Sequence, residues 1–414
     1  MGYVNMKKFN KDKYLMKLKF KKYKRYLYMG IPCLLVLLIG IYFAYSKFSV
    51  FKEEEVVRTT VGEFIYGDIV IGAYIDGKYS NTIPGKNDGY VVKSVSCDNN
   101  ATGSWDKDSW GIVLTNLTKR TKCNIYFETK KPSLNEAITT AMSNNPNMFA
   151  SDDPGKNVRY IGANPNNYVY FNCSDYSNPT ANTCELWRII GVFNNVTKRD
   201  GSKENLVKII RDDSIGDIAW DDNNVNDWST ATLQQNLNSG TYYTTTLKND
   251  TTRNAIEEVV WNLGGTGSYT SASNGLASHF YGYERGTTVY SGRPTTWTGK
   301  IGLMYPSDYG YATSGGTTKD RAACLAKELY NWDSSAFSDC KGNDYLFDTS
   351  NHQWTLAPYS ARADSVFSVY TGGYVLSANA YLTYVVRPAL FLKSNIQVDK
   401  GTGAKSDPYT LKMQ

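Results

Sequence analysis

The side chains able to do chemistry are few in this chain. Imidazole occurs only at His279 and His352, so a two-histidine metalloprotease helix of the H-E-x-x-H kind cannot be assembled. The nearest approach to a serine nucleophile elbow, Ser271-Ala272-Ser273-Asn274-Gly275, lacks the first glycine of G-x-S-x-G. A triad with His279 would have only spatial convergence to recommend it. No G-x-x-x-x-G-K-[ST] phosphate loop is present. The acidic doublets Asp212-Asp213 and Glu257-Glu258 would serve glycoside hydrolysis only with two carboxylates held ~5–9.5 Å apart, and each reads first as a solvated face. The run from Asp221 to Asp227, DDNNVND, clusters oxygen ligands of the type calcium takes. It lacks the glycine and closing glutamate of an EF-hand, and Asn and Asp favour turns on backbone grounds alone. No catalytic residue, metal or cofactor is therefore assigned, with calcium the one ion these side chains would suit.

Binding chemistry is better represented. Residues 290–316, YSGRPTTWTGKIGLMYPSDYGYATSGG, interleave Trp297, Tyr305, Tyr309 and Tyr311 with Asp308 and flexible glycines. Aromatic faces beside hydrogen-bonding groups suit sugar rings and protein partners alike, and loops carry binding residues more often than cores do. Trp297, Tyr305, Asp308, Tyr309 and Tyr311 are the expected ligand-contact residues. The competing reading is ordinary packing, because KIGLMY has the pattern of a buried strand.

The elements that must position them follow from hydrophobic periodicity. Residues 61–130 read as a small all-β, sandwich-like module. Asp76-Gly77 marks a hairpin turn, and Trp110, Ile112 and Leu114, like Cys123, Ile125 and Phe127, alternate onto one face. Residues 131–157 read as a linker with a helix, capped by Ser133 with Glu136 completing a capping box. Residues 158–393 read as one larger mixed domain. Its strand-like runs include ELWRIIGVF, LVKIIRD, QWTLAP and YVVRPALFLK, and helices are expected at 229–239, 251–265 and 320–332. Pro388 places the last strand at an edge or bulge. Residues 394–414 read as a polar tail. The fold class expected is α+β.

Charge and sulfur place the chain in a compartment. Residues 1–30 hold ten Lys/Arg against Asp12, a local +9, which leaves −3 for the rest of a chain of formal charge +6. The basicity belongs to a short tail, so nucleic acid is not an expected partner. Residues 26–46, YLYMGIPCLLVLLIGIYFAYS, are uncharged. As a helix at ~1.5 Å per residue they match a ~30 Å hydrocarbon core. The expected topology is a basic cytoplasmic tail at 1–25, a single transmembrane helix at 26–46, a spacer at 47–60, and the bulk of the chain outside the cell membrane. Ala44-Tyr45-Ser46 would also suit a signal peptidase, and either route exports the bulk. Cys33 lies within the apolar run, whereas Cys97, Cys123, Cys173, Cys184, Cys324 and Cys340 follow it. An even count in an exported region reads as disulfides. Six cysteines allow 15 pairings, of which the sequence-local set keeps each bridge inside one module.

ELWRIIGVF, NDWSTATLQQNLN, WNLGG, GKIGLMYPSDYGYA, QWTLAP and YVVRPALFLK, in that order over roughly residues 155–393, resemble a group of exported proteins of uncharacterised function from low-GC, gut-type bacteria. The order also resembles, more loosely, the C-type-lectin-like fold shared with formylglycine-generating enzymes. That resemblance implies that LWRIIGV and YVVRPALFL are paired strands and that residues 264–316 belong to the loop surface. It carries over neither calcium ligands nor catalytic cysteines: no Glu-Pro-Asn or Gln-Pro-Asp motif is present, and Cys324 and Cys340 fit a structural bridge. The function expected is a membrane-anchored, adhesin-like binding protein of the bacterial cell surface, taking a glycan or a protein. The alternatives are an extracellular glycan hydrolase or formylglycine-generating-type oxidase, and a structural envelope component.

Overall fold

The computed structural model describes residues 57–59, 69–117 and 120–413, and the chain divides into two compact units, Met1–Lys130 and Lys131–Gln414. The helix expected at 26–46 lies outside the described residues. Among the described residues no helix is long and apolar enough to cross a membrane.

The first unit is built from two sheets. One orders the strands Val57–Thr59, Gly111–Thr115 and Thr102–Asp106, and the other orders Lys78–Ser80, Ile69–Ile75, Thr121–Thr129 and Tyr90–Cys97. Alternation along Thr121–Thr129 sends Cys123, Ile125 and Phe127 inward, where they meet Ala73, Ile112 and Leu114 in one core. The turn at Asp76-Gly77 has φ of 47° and 81°, the left-handed pair that an Asp-Gly hairpin supplies. Cys97 stands directly opposite Cys123 in the ladder, and the two form a disulfide.

The second unit carries most of the chain's core. Its main sheet orders Ile301–Gly302, Ala389–Leu392, Lys203–Arg211, Glu185–Thr197, Val158–Tyr160 and Phe149–Ala150, with Tyr168–Phe171 also pairing to Glu185–Thr197. The paired strands are antiparallel throughout. Glu185–Thr197 is buried continuously from Trp187 to Phe193, so both its faces are covered and its sequence reads as an apolar run. Gly191 permits this packing, since a Cβ there would sit 2.2 Å from the carbonyl oxygen of Val158. A second sheet orders Asp217–Ala219, Thr383–Val385, Gln353–Pro358, Ser365–Val369 and Val375–Asn379.

Several expectations need correction. The α+β class does not hold: strand outweighs helix, 36% against 18%, and the helices are short. The helix expected at 251–265 ends at Ala255. Val259–Asn262 is instead a strand paired with Thr296–Gly299, because the β-branched pair Val259-Val260 and Trp261 suit a pleated surface better than a helix. The loop expected around Tyr309 is the helix Pro306–Ala312, with Pro306 in its first turn and every residue buried. The C-type-lectin-like pairing is absent, because Lys203–Arg211 lies between Glu185–Thr197 and Ala389–Leu392. YVVRPALFLK is two strands in different sheets, Thr383–Val385 and Ala389–Leu392, broken around Pro388. The capped helix Leu134–Asn144 and the C-terminal strands Gln397–Lys400 and Thr410–Lys412 belong to this unit: Leu134 donates its N–H to Ile396, and Tyr168 to Gly403.

Candidate functional site

The site begins with a lysine in the wrong company. In LVKIIR, Lys208 interrupts a buried strand and is itself fully buried. An ammonium cannot stay charged there without a partner. Asp308 supplies it from the helix Pro306–Ala312: its Oδ2 lies 2.6 Å from Lys208 Nζ, and its Oδ1 accepts from Arg159 Nη1 at 2.8 Å. Asp308 also reaches back to accept from the backbone N–H of Tyr305, which closes the helix entry. Arg159 in turn donates to Asp153 at 2.6 Å. Burial opposes the Asp308 charge, yet Lys208 and Arg159 together hold its carboxyl well below the usual carboxylate range. Four rings surround the ammonium, with centroids 4.5 Å (Tyr305), 5.2 Å (Trp261), 5.6 Å (Phe193) and 5.7 Å (Phe391) from Nζ.

Above this charged floor lies a cleft of about 250 Å³. Its walls come from the end of Glu185–Thr197 (Phe193 to Thr197), from Val260, Trp261 and Asn262, and from Tyr281, Arg285, Tyr305, Phe391 and Asn157. Rings and amides dominate, two cations are present, and no carboxylate, histidine or cysteine lines it. Some of the amides are structural. Asn157 donates to Asp153 and Tyr281, and its Oδ1 accepts from the Asn194 backbone. The side chains of Asn195, Thr197 and Asn262 make no hydrogen bond among the described residues, whereas the backbone of Asn262 is held in both directions by the Tyr305 hydroxyl.

Arg285 closes the helix Ala277–Glu284 as its C-cap, where a cation meets the negative end of the helix dipole. Its guanidinium stacks 3.5 Å from the Tyr281 ring centroid, and Nη1 donates to the Tyr281 carbonyl and to Glu284. Glu284 is fully buried. It also accepts from the Ser307 hydroxyl at 2.5 Å and the Ser307 backbone at 2.9 Å. Burial pushes its carboxyl up to about 7 against the pull of Arg285 and Ser307.

The residues singled out from the sequence do not form an exposed patch. Tyr305 lines the cleft and Asp308 lies beneath it. Tyr309 is fully buried, with its hydroxyl donating to Gly373 and its ring against Trp332. Tyr311 is buried with its ring 5.4 Å from the Arg159 guanidinium carbon. Trp297 is half-buried, register-paired with Trp261 and edge-on to Trp228. Sequence reasoning missed Lys208, Arg285 and Asn262. Only Lys208 left a signal, a lone charge inside an apolar run.

The other candidates are occupied locally. Asp221 accepts from the backbone of Val225 and Thr232, and Asp227 from Ser229, so these two carboxylates shape turns, whereas Asn224 Oδ1 accepts from the Tyr381 backbone and Asn226 Oδ1 from Arg293. Among the described residues no group of three or more His, Cys, Asp or Glu could hold a metal ion. His279 Nδ1 accepts from Leu276, and His352 Nδ1 from Thr371. Cys173–Cys184 and Cys324–Cys340 are disulfides, like Cys97–Cys123. No protein-family model, curated protein or solved structure matches the chain.

Proposed function

We propose that residues 131–414 are the ligand-binding part of a bacterial cell-surface binding protein, and that the cleft beside Asn262 takes a sugar ring. The observation that carries this reading is the cleft's lining: aromatic and aliphatic walls with amide and hydroxyl groups at Asn195, Thr197 and Asn262 that have no partner among the described residues. Sugar rings offer that same mixture, with apolar C–H faces and an equator of hydroxyls. The volume of about 250 Å³ lies just below the ~300–1,000 Å³ usual for ligand sites, which favours one ring over an extended chain. Display outside the cell is supported by the three disulfides, which persist in oxidising compartments, and by the uncharged 26–46 stretch behind ten basic residues. The bilayer is then a second partner, met through residues 26–46.

The test is glycan-array binding by the full chain and by Asn262→Ala. The Asn262 side chain makes no hydrogen bond among the described residues, so its removal should lower binding at least tenfold while leaving the melting temperature in place. Binding that Asn262→Ala leaves intact, or no binding to any sugar class, refutes the reading. Cleavage of the 131–414 unit by protease added to intact cells tests the placement, and full protection of that unit refutes it.

A further inference from the structure

We infer that the sugar accepted by this cleft carries a carboxylate, as a uronic acid does, and that Arg285 is the residue that selects it. The inference rests on the cleft being a sugar site and adds the chemical class of the sugar. Its basis is which edge of the guanidinium the protein consumes. Among the described residues, the hydrogen bonds of Arg285 to the protein, to the Tyr281 carbonyl and to the Glu284 carboxylate, are both made by Nη1. The Nε–H and Nη2–H groups make no hydrogen bond among the described residues. Those two donors point side by side and match the two oxygens of a carboxylate in a bidentate pair. The side chain is about a quarter exposed, at 27%, so the remaining edge is within reach of a solute. Stacking on Tyr281 at 3.5 Å fixes the plane of the fork before any ligand arrives, which reduces the ordering cost of binding.

The surroundings reinforce this choice. Lys208 also lies at the floor, with its charge already paired to Asp308. The carboxylates nearest to the cations, Asp308, Asp153 and Glu284, are buried behind the lining and already engaged. An incoming anion therefore meets Arg285 and amide groups at the cleft wall and no acidic side chain. A neutral sugar offers the Arg285 edge only hydroxyl oxygens, which accept hydrogen bonds but lack the charge and the paired geometry of a carboxylate, and this disfavours that ligand.

Titration calorimetry of the full chain with glucuronic acid, glucose and acetate tests the inference. Glucuronic acid should bind at least tenfold tighter than glucose and tighter than acetate. Arg285→Gln should bring glucuronic acid down to the level of glucose. Arg285→Lys keeps the charge, loses the fork and should fall between, and melting of both variants reports whether the fold survives. Equal binding of glucose and glucuronic acid, unchanged in Arg285→Gln, overturns the acidic class while leaving the sugar site standing. Acetate binding as tightly as glucuronic acid overturns the inference, because the ring would contribute nothing. Binding of none of the three overturns the inference and removes its premise.

Discussion

Replacing Asp308 by asparagine keeps the shape of the side chain and deletes the charge at the centre of the second unit. Asp308 has fully buried side-chain oxygens, paired to Lys208 at 2.6 Å and to Arg159 at 2.8 Å. Arg159 retains Asp153 at 2.6 Å after the change, but Lys208 has no other ion pair among the described residues. The cost therefore falls mainly on an orphaned ammonium. Removing one partner of a buried pair costs about 3–5 kcal/mol. At ~2–4 °C per kcal/mol for a domain of ~150–250 residues, the melting temperature should drop by roughly 6–20 °C. Denaturant unfolding followed by tryptophan fluorescence measures the loss. Adding Lys208→Met removes the orphan and fills the ring cage with a flexible apolar chain, so the double variant should be more stable than Asp308→Asn alone. An Asp308→Asn protein within about 1 kcal/mol of wild type would refute the reasoning, as would a double variant no better than the single one.

Two further outcomes follow from the same geometry. Glu284 holds its proton up to about 7 in the folded chain against an ordinary 4.5. The native state therefore binds that proton more tightly, and the associated stability is fully present below pH 4.5 and is lost as pH rises through 7, a change of about 3 kcal/mol. Wild-type stability minus that of Glu284→Gln should fall over that window, and a flat difference would contradict the burial argument. Replacing Cys324 and Cys340 by alanine opens a bridge of sequence separation 16 and should cost about 3 kcal/mol, read as a lower denaturant midpoint. An unchanged midpoint would show that the bridge adds nothing.

The first unit was largely legible because its signals are local. Asp76-Gly77 announces a turn by backbone sterics, and Ile125 and Phe127 announce a buried face by alternation. Cys97 and Cys123 lie close in sequence, and in the second unit the two remaining cysteine pairs and the Ser133–Glu136 capping box are local in the same way. The second unit was harder to read because its outcome is decided by partners far away in sequence. Val259 and Val260 sit at spacings compatible with a helix, but pairing with Gly299 and Thr298 makes them a strand. Tyr309 and Tyr311 have the composition of a display loop, yet the short helix that carries them is swallowed by the core. Asp308 is an unremarkable acid until Arg159 and Lys208, 149 and 100 residues away, converge on it. The free edge of Arg285 depends on which of its nitrogens the protein uses, and composition carries no record of that.

The ligand is proposed to sit in the cleft between Asn262 and Arg285. A crystal structure of the full chain soaked with the sugar that the glycan array selects tests it most directly. Ring density is expected in the cleft, within hydrogen-bonding distance of the Asn262 amide and against Tyr281. Density for the same sugar at another surface, with this cleft empty, would contradict it.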